Sequence, residues 1–191
     1  MSLATVFVLL AALVVSSALL VLVVFLVWWI DRFDREPIHL VAMVFLWGAS
    51  VAPAASVMSI TAVERAFQWD PAASGPGGLA AVSLVGPFAE ELFKAVGVLL
   101  VLFLTSKFDN PTDGVVYGTA AGLGFAVSEN VVYGIGTGMT LNSVPMVLLA
   151  VVGRTLLSAG VHAVCSAVFG GFLGFALLCR RKLTRIGSVV F

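Results

Sequence analysis

Apolar positions do not alternate with polar ones along this chain; they run together. Stretches at about 4–29, 38–62, 79–105 and 114–136 are almost uninterrupted in Leu, Val, Ile, Ala, Phe and Gly. Each reaches the ~20 residues that carry a helix across ~30 Å of hydrocarbon. The region 142–179 is long for one such element and barely enough for two, and Arg154 interrupts it. A full span is expected at about 157–179, with 144–156 forming either a second short span or a helix partly embedded in the membrane. The predicted fold is all-α: a polytopic transmembrane helix bundle of five to six membrane-embedded helices, one domain over residues 1–191, with no internal repeat.

The boundaries carry their own signals. Trp28 and Trp29 close the first run and have the character of interfacial anchors. The connector from Asp31 to Glu36 is polar, and Pro37 suits the start of the next helix. Residues 64–78 hold Pro71, Pro76 and three glycines, which predicts an extramembrane loop. A short polar connector follows from Ser106 to Asp113. The first run is too long for the core of a signal peptide and has no basic leader or small-residue cleavage site, so it reads as a retained span.

Composition agrees with the pattern. Hydrophobic residues make up 61% of the chain and charged ones 10%, with a mean hydropathy of +1.14; soluble domains carry about 25% charged residues. Ten basic and ten acidic residues cancel, which argues against nucleic acid as a partner and leaves the lipid bilayer as the environment. Cys165 and Cys179 lie on one predicted helix, too far apart to bridge. Five spans with the C-terminus in the cytoplasm place Arg32, Arg35, Lys107 and the basic tail inside, which satisfies the positive-inside rule with an external N-terminus.

Against this background the buried charges stand out. Glu90, Glu91 and Lys94 fall near the middle of the third run. One charge at that depth costs on the order of 3 kcal/mol, so such groups mark chemistry or transport by default. Glu90 and Lys94 (i,i+4) or Glu91 and Lys94 (i,i+3) can pair on one helix face. Neighbouring positions diverge by about 100°, so one carboxylate is expected to face a cavity while the other holds a neighbouring helix. A charge-neutralised packing device is the plain alternative, but two carboxylates against one ammonium call for a proton, a metal ion or another cation.

The fourth run adds Glu129 and Asn130, with Gly118 and Gly122 at the spacing that lets membrane helices approach closely. The last run adds His162, with Cys165 at i+3 as a small apolar filler. His39, beside the polar connector, is expected at the interface. In the five-span topology Glu90, Glu91, Glu129 and His162 all fall in the outer half of the membrane, where they can line one cavity open to the external face.

In this order the residues resemble the PrsW family of intramembrane proteases, distantly related to CAAX-processing and bacteriocin-immunity membrane proteases. The similarity covers nearly the whole chain. It runs through the connector Asp31–Pro37 and Glu90-Glu91-Leu92-Phe93-Lys94 as an EExxK motif. It continues through Asp113-Gly114, Tyr117-Gly118 and Gly122 to Asn130 as a glycine-rich motif ending in GFAxxEN. Arg154 and His162, with Gly170 or Gly171 beyond, complete it. The chain is short for the family, either part of a longer protein or a minimal member. It departs from the family's pattern where Ser158-Ala159-Gly160 precede Val161-His162 without a proline.

The resemblance implies hydrolysis of single-span, membrane-anchored proteins, including a first cut in anti-sigma factors at their extracytoplasmic side, in a prokaryotic plasma membrane. Glu90, Glu91, Glu129 and His162 are then the catalytic set, supported by Lys94, Asn130 and Arg154. Glu90 is the first choice for general base. Two arrangements are open: a Zn²⁺-type ion on His162, Glu129 and one of the pair, taken as Glu91, with a position left for water; or no metal, with Glu90 activating water and His162 and Asn130 donating to the oxyanion. Arg154 either orients a carboxylate or anchors at the interface. A proton- or ion-coupled transporter built on the same carboxylates, and a non-catalytic membrane scaffold, are the rivals.

Overall fold

The apolar runs form five long helices. The computed structural model describes residues 3–30, 35–69, 75–140 and 143–190. We label the helices α1 (Leu3–Ile30), α2 (Ile38–Phe67), α3 (residues 76–104), α4 (Pro111–Thr140) and α5 (Val144–Val190). Among the described residues there is no strand, and α1, α2, α4 and α5 are long and apolar enough to cross a membrane. α3 matches them in length and is set apart by Glu90, Glu91 and Lys94. Residues 144–156 form neither a separate span nor a surface helix; they continue without a break into 157–179. The connector residues 31–34 and the loop residues 70–74 lie outside the described residues.

α4 is the central helix. Every residue from 116 to 126 is buried, as expected of a helix apolar on all sides and surrounded by others. The largest core cluster joins Val41 and Val44 of α2, Val98 and Val101 of α3, and Val116, Tyr117 and Ala120 of α4. In lipid the drive to pack is close contact more than exclusion of water, so small residues decide which helices meet. Gly114, Gly118 and Gly122 lie against the backbone of Gly170, Ser166 and His162 respectively, so α4 and α5 run antiparallel with their backbones nearly touching. On another face of α4, Gly124 meets Phe45, while Gly48 of α2 meets Ala121.

Local chemistry fixes the helix ends. α4 begins at Pro111, three residues before the expected start, because Asn110 and Asp113 form a reciprocal cap. The Asn110 Oδ1 accepts the amides of Thr112 (2.8 Å) and Asp113 (3.1 Å), and Asp113 Oδ2 accepts that of Asn110 (2.9 Å). α2 closes on Gln68 at φ 53°, where Trp69 N–H reaches Glu64 O at 2.8 Å. Trp28 at the end of α1 donates to Glu36 O at 2.7 Å, and the Arg35 guanidinium lies 4.7 Å from the Trp29 ring centre. Tyr117 of α4 donates to the Glu36 carboxylate.

Two helices carry a wide π turn, at Trp47–Val51 in α2 and Ala81–Val85 in α3. Each precedes a proline inside the helix, Pro53 and Pro87. A proline has no N–H for the carbonyl four residues back, Ala49 or Ser83, and its ring crowds that turn. Ser128 of α4 donates to Ala49 O. The second π turn ends five residues before Glu90 and sets the face that α3 presents to α4 and α5.

Candidate active site

Three helices bring their polar groups to one place. Lys94, almost fully buried at 1% exposure, lies 2.5 Å from Glu91 Oε1 and 2.7 Å from His162 Nδ1. On the other side of the imidazole, His162 Nε2 lies 2.8 Å from Glu129 Oε2. Arg154 Nη2 holds the second Glu129 oxygen at 2.8 Å, and Ser158 Oγ donates to Oε2 at 3.2 Å. Each ring nitrogen faces one charged neighbour, Nδ1 the Lys94 ammonium and Nε2 the Glu129 carboxylate. The chain Glu91–Lys94–His162–Glu129–Arg154 thus sets each carboxylate beside a cation, with the imidazole between the two pairs.

Aromatic rings wall this chain. The Phe125 ring lies 4.4 Å from Lys94 Nζ and 5.2 Å from the His162 ring. Tyr133, two turns along the same face of α4, sits 3.6 Å under the Arg154 guanidinium. One cation–π contact therefore backs each of the two cations.

Lys94 pairs with Glu91 at i+3, not with Glu90 at i+4. Glu90 is half-buried and groups instead with Glu129 and His162: each offers a ligand atom, all within 4.8 Å of one another. That trio contains Glu90 where the sequence reading put Glu91. Two carboxylates and one imidazole are donors of the type that binds Zn²⁺, and three protein ligands are the number a catalytic site uses. Around the cluster, three carboxylates face two fixed cations, Lys94 and Arg154, so the donor set has an excess negative charge for a cation to meet. The residues fit a divalent ion.

Asn130 does not join this group. It is buried with Nδ2 3.0 Å from Thr155 Oγ1, which in turn donates to Ser16 Oγ of α1 at 3.0 Å. Its side chain ties three helices together and does not reach a site for an oxyanion beside His162. Arg154 orients a carboxylate, the first of its two expected roles. His39 is exposed near the start of α2, and Cys165 is exposed one turn from His162. Ser158, Ser166, Phe125 and Tyr133 were not anticipated. Ser158 and Ser166 flank His162 at i−4 and i+4, and Phe125 and Tyr133 flank Glu129 likewise, a periodicity the sequence does display.

Glu91 is 41% exposed, against 18% for Glu129. Its Oε2 lies 3.5 Å from Ser166 Oγ, and below it a cavity of about 180 Å³ opens between α3 and α5.

Comparison with known proteins accords with this arrangement. The profile of the PrsW family of intramembrane metalloproteases matches residues 36–191. Protease PrsW of Bacillus subtilis (strain 168) is 30% identical over 146 residues, 76% of this chain and 60% of that protein. Protease PrsW of Geobacillus kaustophilus (strain HTA426) is 27% identical over 152 residues, 80% of this chain and 60% of its own length. Protease PrsW of Shouchella clausii (strain KSM-K16) is 29% identical over 146 residues, 76% of this chain and again 60% of that protein. The chain spans about 60% of the length of these curated relatives. No solved structure matches it. The chain belongs to the PrsW family and is a multi-pass integral membrane protein.

Proposed function

We propose that this member of the PrsW family is an intramembrane peptidase. It hydrolyses a peptide bond of single-span membrane-anchored proteins near their extracytoplasmic boundary, in the manner of a first cut in an anti-sigma factor. The observation that carries this reading is the meeting of Glu90, Glu91, Glu129 and His162, from three helices, around one buried lysine. Charge counting puts the C-terminus in the cytoplasm and the site in the outer half of the bilayer.

Glu90, Glu129 and His162 would hold a divalent ion of the Zn²⁺ class, which when bound polarises water and the scissile carbonyl. Glu91 is left as general base, with 41% of its side chain exposed beside the cavity between α3 and α5. As a water oxygen bonds to the carbonyl carbon, Glu91 takes its proton. It returns a proton to the amide nitrogen as the C–N bond breaks. Lys94 holds Glu91 in place. Arg154 and Ser158 fix Glu129.

Co-expression with tagged single-span substrates tests the proposal. Glu91→Gln and His162→Ala are each expected to lower a discrete cleavage at least 10²-fold, the range for loss of a general acid–base or a metal-supporting group. Cleavage that survives both changes in well-folded protein refutes it. Solute uptake into proteoliposomes with no cleavage of any substrate would instead identify a transporter.

A further inference from the structure

The cavity below Glu91 lies beside the reacting groups yet contributes nothing to them. It is lined by Glu91, Ala95 and Val98 of α3 and by Cys165, Ser166 and Phe169 of α5. Five of its six lining residues carry no charge, and Glu91 forms its rim on the side of His162, whose Nδ1 lies 3.8 Å from Glu91 Oε1. Small side chains at 95, 165 and 166 create the space, and Phe169 closes one wall. A dry cavity of about 150 Å³ lined by aliphatic and aromatic groups accepts a benzene ring. The present one, at about 180 Å³, has room for a side chain of leucine or phenylalanine size.

Its position also identifies the occupant. A half-exposed carboxylate at the middle of a spanning helix cannot face acyl chains without cost, so the α3–α5 cleft at Glu91 must admit water or a polar backbone. An unwound substrate segment supplies that backbone, and its next side chain points past Glu91 into the apolar space. We infer that this cavity is the subsite for an apolar residue adjoining the cut bond, and that Ala95, Cys165 and Phe169 set the size it accepts. The inference rests on the peptidase reading above and adds the substrate's local chemistry to it.

The test is a substrate panel in which the residues flanking the cleavage point are set in turn to Ala, Leu, Phe and Trp. Cleavage rates are compared for purified wild-type, Cys165→Phe and Phe169→Ala proteins in detergent. One methylene in an apolar pocket is worth about 10- to 200-fold in selectivity. At one flanking position, Cys165→Phe should lower the leucine-to-alanine rate ratio at least 10-fold. Phe169→Ala should raise the tryptophan-to-alanine ratio by a similar factor. The two variants shift preference in opposite directions, so if one fails to fold the other still decides. Cleavage by wild type with the preference unmoved in the folded variants overturns the subsite alone. Wild-type protein that cleaves no member of the panel overturns the peptidase reading, and the subsite with it.

Discussion

Two glycines on the α4–α5 pair should respond in opposite ways to one methyl group. At Gly118 an added Cβ would meet the Ser166 carbonyl carbon at 2.7 Å and Ala167 Cα at 2.9 Å, where ordinary contact begins near 3.4 Å. These obstacles are backbone and the Ser166 carbonyl oxygen lies closer still, so the helices must part by more than the ~0.7 Å between 2.7 and 3.4 Å. Overpacking of this kind costs about 1–3 kcal/mol, partly offset by the ~0.4–1 kcal/mol that Gly→Ala gains through the unfolded chain. Gly160, two residues before His162, has nothing within 4 Å of a new Cβ. There only the gain remains, so Gly160→Ala should stabilise by about 0.4–1 kcal/mol. Gly118→Ala should destabilise by about 1–2 kcal/mol. The same displacement would stretch the His162–Glu129 contact from 2.8 Å to at least ~3.5 Å, beyond a hydrogen bond. An ångström-scale misplacement costs about 10²-fold in turnover. The assay is denaturant unfolding in detergent for both variants, alongside cleavage of one tagged substrate. Equal effects of the two alanines, in either measurement, would refute the packing argument.

Other outcomes follow from the site. Protein purified without chelators should retain a divalent metal, and Glu90→Gln should lose far more of it than Glu91→Gln, as read by elemental analysis. Glu91→Gln should keep the metal and lose turnover; the reverse pattern would restore Glu90 as the base. Asn130→Ala should destabilise by about 1–3 kcal/mol, the cost of unsatisfied buried groups. Its kcat should fall less than 10-fold, since removing a true oxyanion donor costs 10²–10³. Lys94→Met leaves Glu91 without its cation. Adding Glu91→Gln should recover part of the lost stability, and a double-mutant cycle with no coupling would argue against the pair.

The spans were legible because lipid demands long apolar runs, and Glu90, Glu91, Lys94, Glu129 and His162 because polar groups at that depth are costly without partners. Which of Glu90 and Glu91 pairs with Lys94 was not legible. Adjacent positions differ by about 100° on a helix. Their phase depends on the π turn at Ala81–Val85, which the sequence signals only through Pro87. Asn130 stands one step from Glu129, and its side chain turns to Thr155 of α5, which in turn reaches Ser16 of α1. The polar ladder Arg154, Ser158, His162, Ser166 was readable at every fourth residue, but serines draw little attention in a membrane helix. Residues 144–156 were ambiguous because Arg154 looks like an interruption until Glu129 and Tyr133 are placed beside it. Asp113 looked like part of a connector, whereas its place in the cap starts α4 three residues earlier.

The interlocked glycines divide the molecule into a meshed part and one outside the mesh. With Gly114, Gly118 and Gly122 meshed against α5, sliding along that seam is possible only in whole notches of four residues. A single notch would replace His162 opposite Gly122 by Ser158 or Ser166 and dismantle the chemistry. Glu129, Arg154 and His162 therefore behave as one rigid jaw. The other jaw, Glu90, Glu91 and Lys94, rides on a separate helix with its own wide turn and proline, outside that glycine seam.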